Sequence, residues 1–217
     1  MRRRGRNLRA NAFTLVELAV VIFVAAALVL GMVVYGNQVR PKSQLQTCRE
    51  NLKQVGLAFK TWPPDSLDAF PMTVSQARGG TKELVSSGKV FVHFRAMSNE
   101  VSDPKVLVCP SDTAKDVASG FTNLSDKNVS YFIGLDSEDA RPYTLLSGDR
   151  NLALTNQCLA PGIFTLTTNM PLAWTTAIHG SKGNVLLADG SVGLCDSARL
   201  SRAVVQQELA TNRLVIP

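Results

Sequence analysis

The chain is 217 residues long, 45% hydrophobic and 18% charged, with a formal charge of +6 from 23 Lys+Arg against 17 Asp+Glu. That content excludes a disordered chain, and four cysteines without a CxxC pair exclude a disulfide-built miniprotein and a zinc ribbon. The charge is local: Arg2, Arg3, Arg4, Arg6 and Arg9 stand together without an acid, and 23 less those five leaves 18 bases against the same 17 acids. A nearly neutral body gives no electrostatic reason for a nucleic-acid partner.

After the arginines come residues 13–35, FTLVELAVVIFVAAALVLGMVVY, with one ionisable group, Glu17. As a helix this run is roughly 35 Å long, enough to cross a bilayer core of about 30 Å. Arginines on its N-terminal side predict a cytoplasmic start, with everything after the run outside. A secretory signal peptide would explain the basic start and the small residues Ala25, Ala26 and Ala27. The apolar run continues beyond them through residue 35, which is too long for that reading. A plain signal anchor would hold one copy in the membrane but leaves Glu17 unexplained. A carboxylate inside a span costs on the order of 3 kcal/mol. Either Glu17 reaches the interface, or it has a partner.

The helical pattern resumes beyond the run. Leu45, Cys48, Leu52, Val55, Phe59 and Trp62 follow one another at spacings of three and four, which makes one apolar stripe. Pro63-Pro64 ends this helix, and Pro41 between the two parts is expected to kink or locally melt it. Residues 81–86 read as a short helix. Strand signals fall at 90–94 (VFVHF), 106–108, 130–133, 143–146 and 162–168. Residues 173–178, 184–188 and 191–195 read as consecutive strands, joined by a four-residue loop at 180–183 and a type I′ turn at Asp189-Gly190. Residues 197–211 read as a terminal amphipathic helix, with Ser197 as N-cap and Leu200, Val204 and Leu209 inward.

The candidate chemistry is sparse. His179 and Asp189 suit a base with its orienter, or a pair of metal ligands. No G-x-S-x-G occurs and no cysteine is placed as a nucleophile, so a structural role at the turn is the better reading. His93 reads as a packed strand residue. Neither a metal nor another cofactor is called for, and no enzyme activity is expected.

Ala12-Phe13-Thr14-Leu15-Val16-Glu17-Leu18, behind a basic leader, resembles the cleavage and methylation signal of type IV pilins and pseudopilins. The resemblance implies that a prepilin peptidase cuts between Ala12 and Phe13 and N-methylates Phe13. It implies that Glu17 attracts the N-terminal amine of a neighbouring subunit. Ala12 departs from the family's usual glycine. The segments C-R-E-N-L-K-Q-V-G-L-A from Cys48, C-P-S-D from Cys109, and His179 nine residues before Asp189-Gly190 resemble a pseudopilin-like family abundant in planctomycetes and verrucomicrobia. That likeness implies an α+β, pilin-like fold: a long N-terminal helix, transmembrane in its first half, packed on an antiparallel head. The divisions are then a leader at 1–12, an assembly helix at 13–35, its amphipathic continuation at 36–62, and a head at 63–217. Residues alone leave three cysteine connectivities open. The likeness to shorter relatives suggests Cys48–Cys109 and Cys158–Cys195. Major pseudopilins carry a calcium loop, but Asp136, Glu138 and Asp139 lack the D-x-D-x-D-G spacing, and Asp149 and Asp189 are distant, so calcium is unsupported. The implied function is that of a structural subunit of a type IV pilus or type II secretion pseudopilus. Its implied partners are the peptidase, other pilin subunits and an inner-membrane assembly platform, and its implied place is the bacterial inner membrane with the head outside. The alternative is a single-copy, membrane-anchored exported binding module that does not polymerise.

Overall fold

The computed structural model describes residues 14–62, 69–155, 157–207 and 209–217, and for 33–41 the backbone alone. The leader, the Ala12–Phe13 bond, the methylation site and the Pro63-Pro64 pair lie outside the described residues. Helix α1 (Leu15–Thr61) begins on a capping box. Thr14 Oγ1 accepts the Glu17 N–H at 3.3 Å, and Glu17 Oε2 accepts the Thr14 N–H at 2.8 Å. Two backbone donors that the helix ladder leaves open are thereby satisfied. The helix runs on through Gly36 and Pro41. The hydrogen bond that Pro41 forgoes does not end it, so the local melting expected there is not found.

The described residues form two compact units that divide between Lys42 and Ser43. In the first, the window Leu15–Met32 has a mean hydropathy of 2.7, and none of it is buried. Among the described residues it is the one helix long and apolar enough to cross a membrane, consistent with a membrane anchor or a signal sequence. The second unit holds the rest of α1 together with all the strands. From Ser43 onward the amphipathic part of the helix thus falls in the same compact unit as the strands.

Within this second unit Cys48, Leu52, Val55, Phe59 and Trp62 are buried, as the stripe predicts. The Phe59 ring meets Phe70 edge-on at 5.5 Å. Gly56 brings the helix close to the sheet: a Cβ there would stand 2.8 Å from a Leu186 methyl carbon. Between α1 and the first strand the chain makes tight 3-10 turns and two short helices, α2 (Phe91–Ala96) and α3 (Ser98–Val101). The strand expected at 90–94 is thus a helix. Val90, Phe94, Met97 and Val101 are all buried, at spacings of four, three and four, which is a helical period that a short apolar run conceals. Asp126 Oδ1 accepts the N–H groups of Val90 and Phe91 and anchors its start. The strand expected at 106–108 is a 3-10 turn, Pro104–Leu107, opened by Asp103, which caps Lys105 N. The helix expected at 81–86 is also of the tighter kind, Lys82–Ser87.

The strands are β1 (Tyr131–Gly134), β2 (Leu145–Asp149), β3 (Leu152–Leu154), β4 (Gln157–Cys158), β5 (Gly162–Thr167), β6 (Leu172–Trp174), β7 (Lys182–Leu187), β8 (Val192–Asp196) and β9 (Thr211–Ile216), with helix α4 (Ser197–Gln206) between the last two. Six form one sheet in the order β5-β9-β1-β2-β7-β8, and three form a second in the order β4-β3-β6. Every pairing is antiparallel, so the architecture is α+β.

The large sheet is covered on both faces. Tyr131, Ile133, Leu146, Leu186 and Val215 share one core with Leu52, Val55 and Phe59 of α1. Phe132, Leu145, Val185, Leu214 and Ile216 share another with Leu200 and Val204 of α4 and with Leu152 and Trp174 of the small sheet. Alternate residues of one strand thus enter opposite cores, which is why Tyr131-Phe132-Ile133 reads as an unbroken apolar run.

Three further expectations change. The strand at 173–178 is β6, which pairs with β3 in the small sheet and not with β7, so residues 180–183 are not a hairpin loop. At the β7–β8 turn only Gly190 is left-handed (φ 88°), and Gly190 N bonds Leu187 O. That is a three-residue loop closed by a glycine, not a type I′ turn. The terminal helix ends at Gln206 and is capped by Asp196, whose side chain accepts Arg199 N, not by Ser197. Leu209 lies beyond it, and β9 follows as an interior strand of the large sheet, between β5 and β1.

Candidate functional site

The polar centre of the head lies where α1, the C-P-S-D loop and strand β2 meet. A disulfide joins Cys48 on α1 to Cys109, with Cα atoms 5.0 Å apart and both residues fully buried. One turn along α1, Asn51 Nδ2 donates to Val108 O at 3.1 Å and adds a second tie. Within C-P-S-D, Asp112 N donates to Cys109 O at 2.9 Å and closes the turn. The Asp112 carboxylate takes two bonds from Arg150, at 2.7 and 2.8 Å. Burial is the largest influence on Asp112 and raises its pKa. The bonds and charge of Arg150, with a bond from Ala114 N, together outweigh it and hold the carboxyl below its ordinary value.

His179 reaches into this centre. Its Nε2 lies 3.3 Å from Cys109 Sγ and 3.5 Å from Asp149 Oδ2. The partner of the histidine is therefore Asp149, not Asp189. Asp189 caps its own turn, its Oδ1 accepting Ser191 N at 2.7 Å. Asp149 is fully buried, and Asn184 donates to its Oδ2 from both backbone N (2.6 Å) and Nδ2 (3.1 Å). Burial pushes the Asp149 carboxyl up to about 7 against those bonds. Burial also lowers His179, opposed by the charge of Asp112. Tyr131, directly across from Asp149 in the β1–β2 register, has its phenol raised by burial first and then by the Asp149 charge.

A histidine beside a carboxylate has the elements of a base and its orienter. Here the pair is sealed, with the His179 side chain 3% exposed and Asp149 0%. The neighbouring sulfur is tied up in a disulfide. The arrangement as it stands holds the loop against the helix and offers no nucleophile at His179.

The other candidate residues are dispersed. Glu17 bonds Thr14 through both the backbone N–H and the hydroxyl, each at 2.8 Å. Asp136 pairs with Arg213 at 2.6 Å, Glu138 with Arg141 at 3.5 Å, and Asp139 with Lys60. Each acid of that loop is thus engaged by a base. His93 is buried on α2, not on a strand, and its Nδ1 is 2.7 Å from Thr81 Oγ1. Burial lowers its pKa to about 4.

The second pairing suggested for the cysteines is not formed. Cys158 is free and exposed on β4 of the small sheet, and Cys195 is free and half-buried on β8 of the large one. They belong to different sheets, so the strand ladder does not bring them side by side. Asp149, Tyr131 and Arg150 carry no motif, and the sequence offers no signal for them. Only the pairing of β1 with β2 and the return of the chain at His179 bring them to Cys109. Compared with family profiles, with curated proteins and with solved structures, the chain finds no match in any of the three.

Proposed function

We propose that this chain is a structural subunit of pilin or pseudopilin type. In this reading prepilin peptidase cuts at Ala12–Phe13 and methylates Phe13, and the head stands outside the bacterial inner membrane. The assembly platform then packs the apolar half-helix against those of other subunits in a type IV pilus or secretion pseudopilus. One observation carries the reading: an 18-residue window of mean hydropathy 2.7 with no buried residue, on a helix whose later part is a core element. Covering each Leu, Ile, Val or Phe of that window is worth about 1.5–3 kcal/mol. Lipid supplies that cover before assembly, and neighbouring helices supply it afterwards. Glu17 supports the same reading. Among the described residues its carboxylate takes its hydrogen bonds from Thr14, and a charge held in lipid needs an opposite charge. The methylated amine of a neighbour's Phe13 provides one.

The test is the intact mass of the mature chain together with incorporation of Glu17→Ala into sheared filaments. Loss of residues 1–12 with a gain of one methyl group, and an inserted but unincorporated Glu17→Ala chain, are the expected results. An uncut N-terminus, or normal incorporation of the variant, overturns the reading. A second reading, an anchored binding module, draws on an open groove of about 640 Å³ lined by Met72, Lys82, Leu135, Arg141 and Arg213 among others. It predicts an uncut leader and no filament.

A further inference from the structure

We propose that Cys48, Cys109, His179 and Asp149 form a zinc-type metal site when the Cys48–Cys109 disulfide is reduced, so that the joint between α1 and the C-P-S-D loop has a covalent closure and a metal closure. The donor atoms of Cys48, Cys109 and His179 all lie within 4.8 Å of one another. His179 Nε2 stands 3.3 Å from Cys109 Sγ and 3.5 Å from Asp149 Oδ2. A tetrahedral zinc ion with sulfur, nitrogen and oxygen ligands at about 2.0–2.3 Å has ligand–ligand edges of roughly 3.3–3.8 Å. The histidine therefore already stands at site spacing from two of the other three ligands.

The donor set is two thiolates, an imidazole and a carboxylate, which suits zinc among the divalent ions. The surroundings suit a closed structural site, because both cysteines and Asp149 are fully buried and His179 is nearly so. Asn184 donates two hydrogen bonds to Oδ2, the same oxygen that faces His179, and so fixes the carboxylate, the kind of support that orients a ligand. Asp149 Oδ1 is buried without a hydrogen-bond partner. A disulfide by itself does not call for these neighbours. Its sulfurs are weak acceptors, and burying an imidazole and a carboxyl beside them costs solvation that a 3.3 Å sulfur contact hardly returns.

The exchange balances. A dithiol breaks the Cys48–Cys109 bond and is oxidised to its own disulfide, and its two electrons and two protons leave two thiols. Zinc then displaces both thiol protons to solvent as it binds. In reverse, a disulfide oxidant takes the two electrons, the S–S bond re-forms and the ion leaves.

The test uses the full chain in detergent with Cys158→Ser and Cys195→Ser, so that no other thiol competes. The protein is reduced anaerobically with a phosphine, freed of it, and loaded with Zn²⁺ or with Co²⁺ as a spectroscopic probe. The expected result is about one metal per reduced chain, a thiolate-to-cobalt charge-transfer band with tetrahedral ligand-field bands, and no metal on the oxidised chain. His179→Ala and Asp149→Asn should each weaken binding by at least about tenfold, and His179→Cys should restore it. Circular dichroism of the oxidised variants checks their fold. No stoichiometric metal on the reduced chain, equal uptake by the oxidised chain, or undiminished affinity in His179→Ala overturns the proposal. So does a reduced chain that unfolds and is not refolded by zinc. None of these readouts depends on filament assembly.

Discussion

The two halves of helix α1 share one backbone ladder and meet opposite surroundings. In the window Leu15–Met32 every face is apolar and none is buried. After Ser43 the apolar residues narrow to a stripe, and that stripe is buried against the sheet. The difference is one of pattern and not of helix propensity. A helix apolar all round suits a medium that is apolar all round, and a helix apolar along one stripe suits a partner on one side. Glu17 and Cys48 of α1 follow the same division. Glu17 stays with its own capping box, whereas Cys48 is bonded to a loop 61 residues away.

The sharpest way to break this comparison is to cut that bond. In the loop-closure picture a 61-residue separation makes the bridge worth about 4 kcal/mol. Cys48→Ala with Cys109→Ala should destabilise the head by that order in urea while leaving the helicity of the first half intact. Hydrogen exchange resolved by segment separates the two, and equal loss in both halves would refute the division. A similar contrast is expected between Leu52→Ala and Phe23→Ala. The first removes a fully buried side chain and should cost about 2–5 kcal/mol of head stability. The second, 76% exposed, should change head stability by no more than about 0.5 kcal/mol and act instead on membrane insertion.

pH tests the head alone. His93 is held neutral, with its native pKa at about 4 below an ordinary 6.5. The unfolded chain then binds more protons between those values. The stability this histidine leaves intact is full above pH 6.5 and is lost as pH falls towards 4, by up to about 3 kcal/mol. His93→Gln should flatten that part of the stability profile, and an unchanged slope would count against a buried neutral histidine. The smallest contrast concerns glycines. Gly56→Leu should cost about 1–3 kcal/mol, because even its Cβ would meet Leu186 at 2.8 Å. Gly31→Leu has nothing within 4 Å of its Cβ and should stabilise the first half by about 1 kcal/mol or less through helix propensity. Thermal melts of the two variants in detergent decide it.

Much of the fold was legible locally. Periodicity alone places the stripe from Cys48 to Trp62, and alternating or β-branched runs place β1, β5, β7 and β8. Residues 90–94 read as a strand because four apolar residues in five satisfy a strand and a buried helix equally, and the deciding residues Met97 and Val101 come later. Strand β9 carries no assignment in the sequence reading, whose terminal helix meets it only at Thr211. Its interior place depends on pairing with β5 and β1, both far off in sequence. His179 was legible as a notable residue, but its spacing pointed to Asp189 and not to Asp149.

By itself, the sequence determined what depends on neighbours along the chain: the basic start, the apolar run, the amphipathic stripe, and the place, though not the type, of the turn at Asp189-Gly190. Those follow from side-chain period, backbone freedom and charge order. Tertiary structure alone decided which cysteines meet and which stay free. It also decided which acid faces His179, and that two layers cover the large sheet. Those depend on strand order and register, where a shift of one residue sends a side chain to the other face, and no local pattern carries that information.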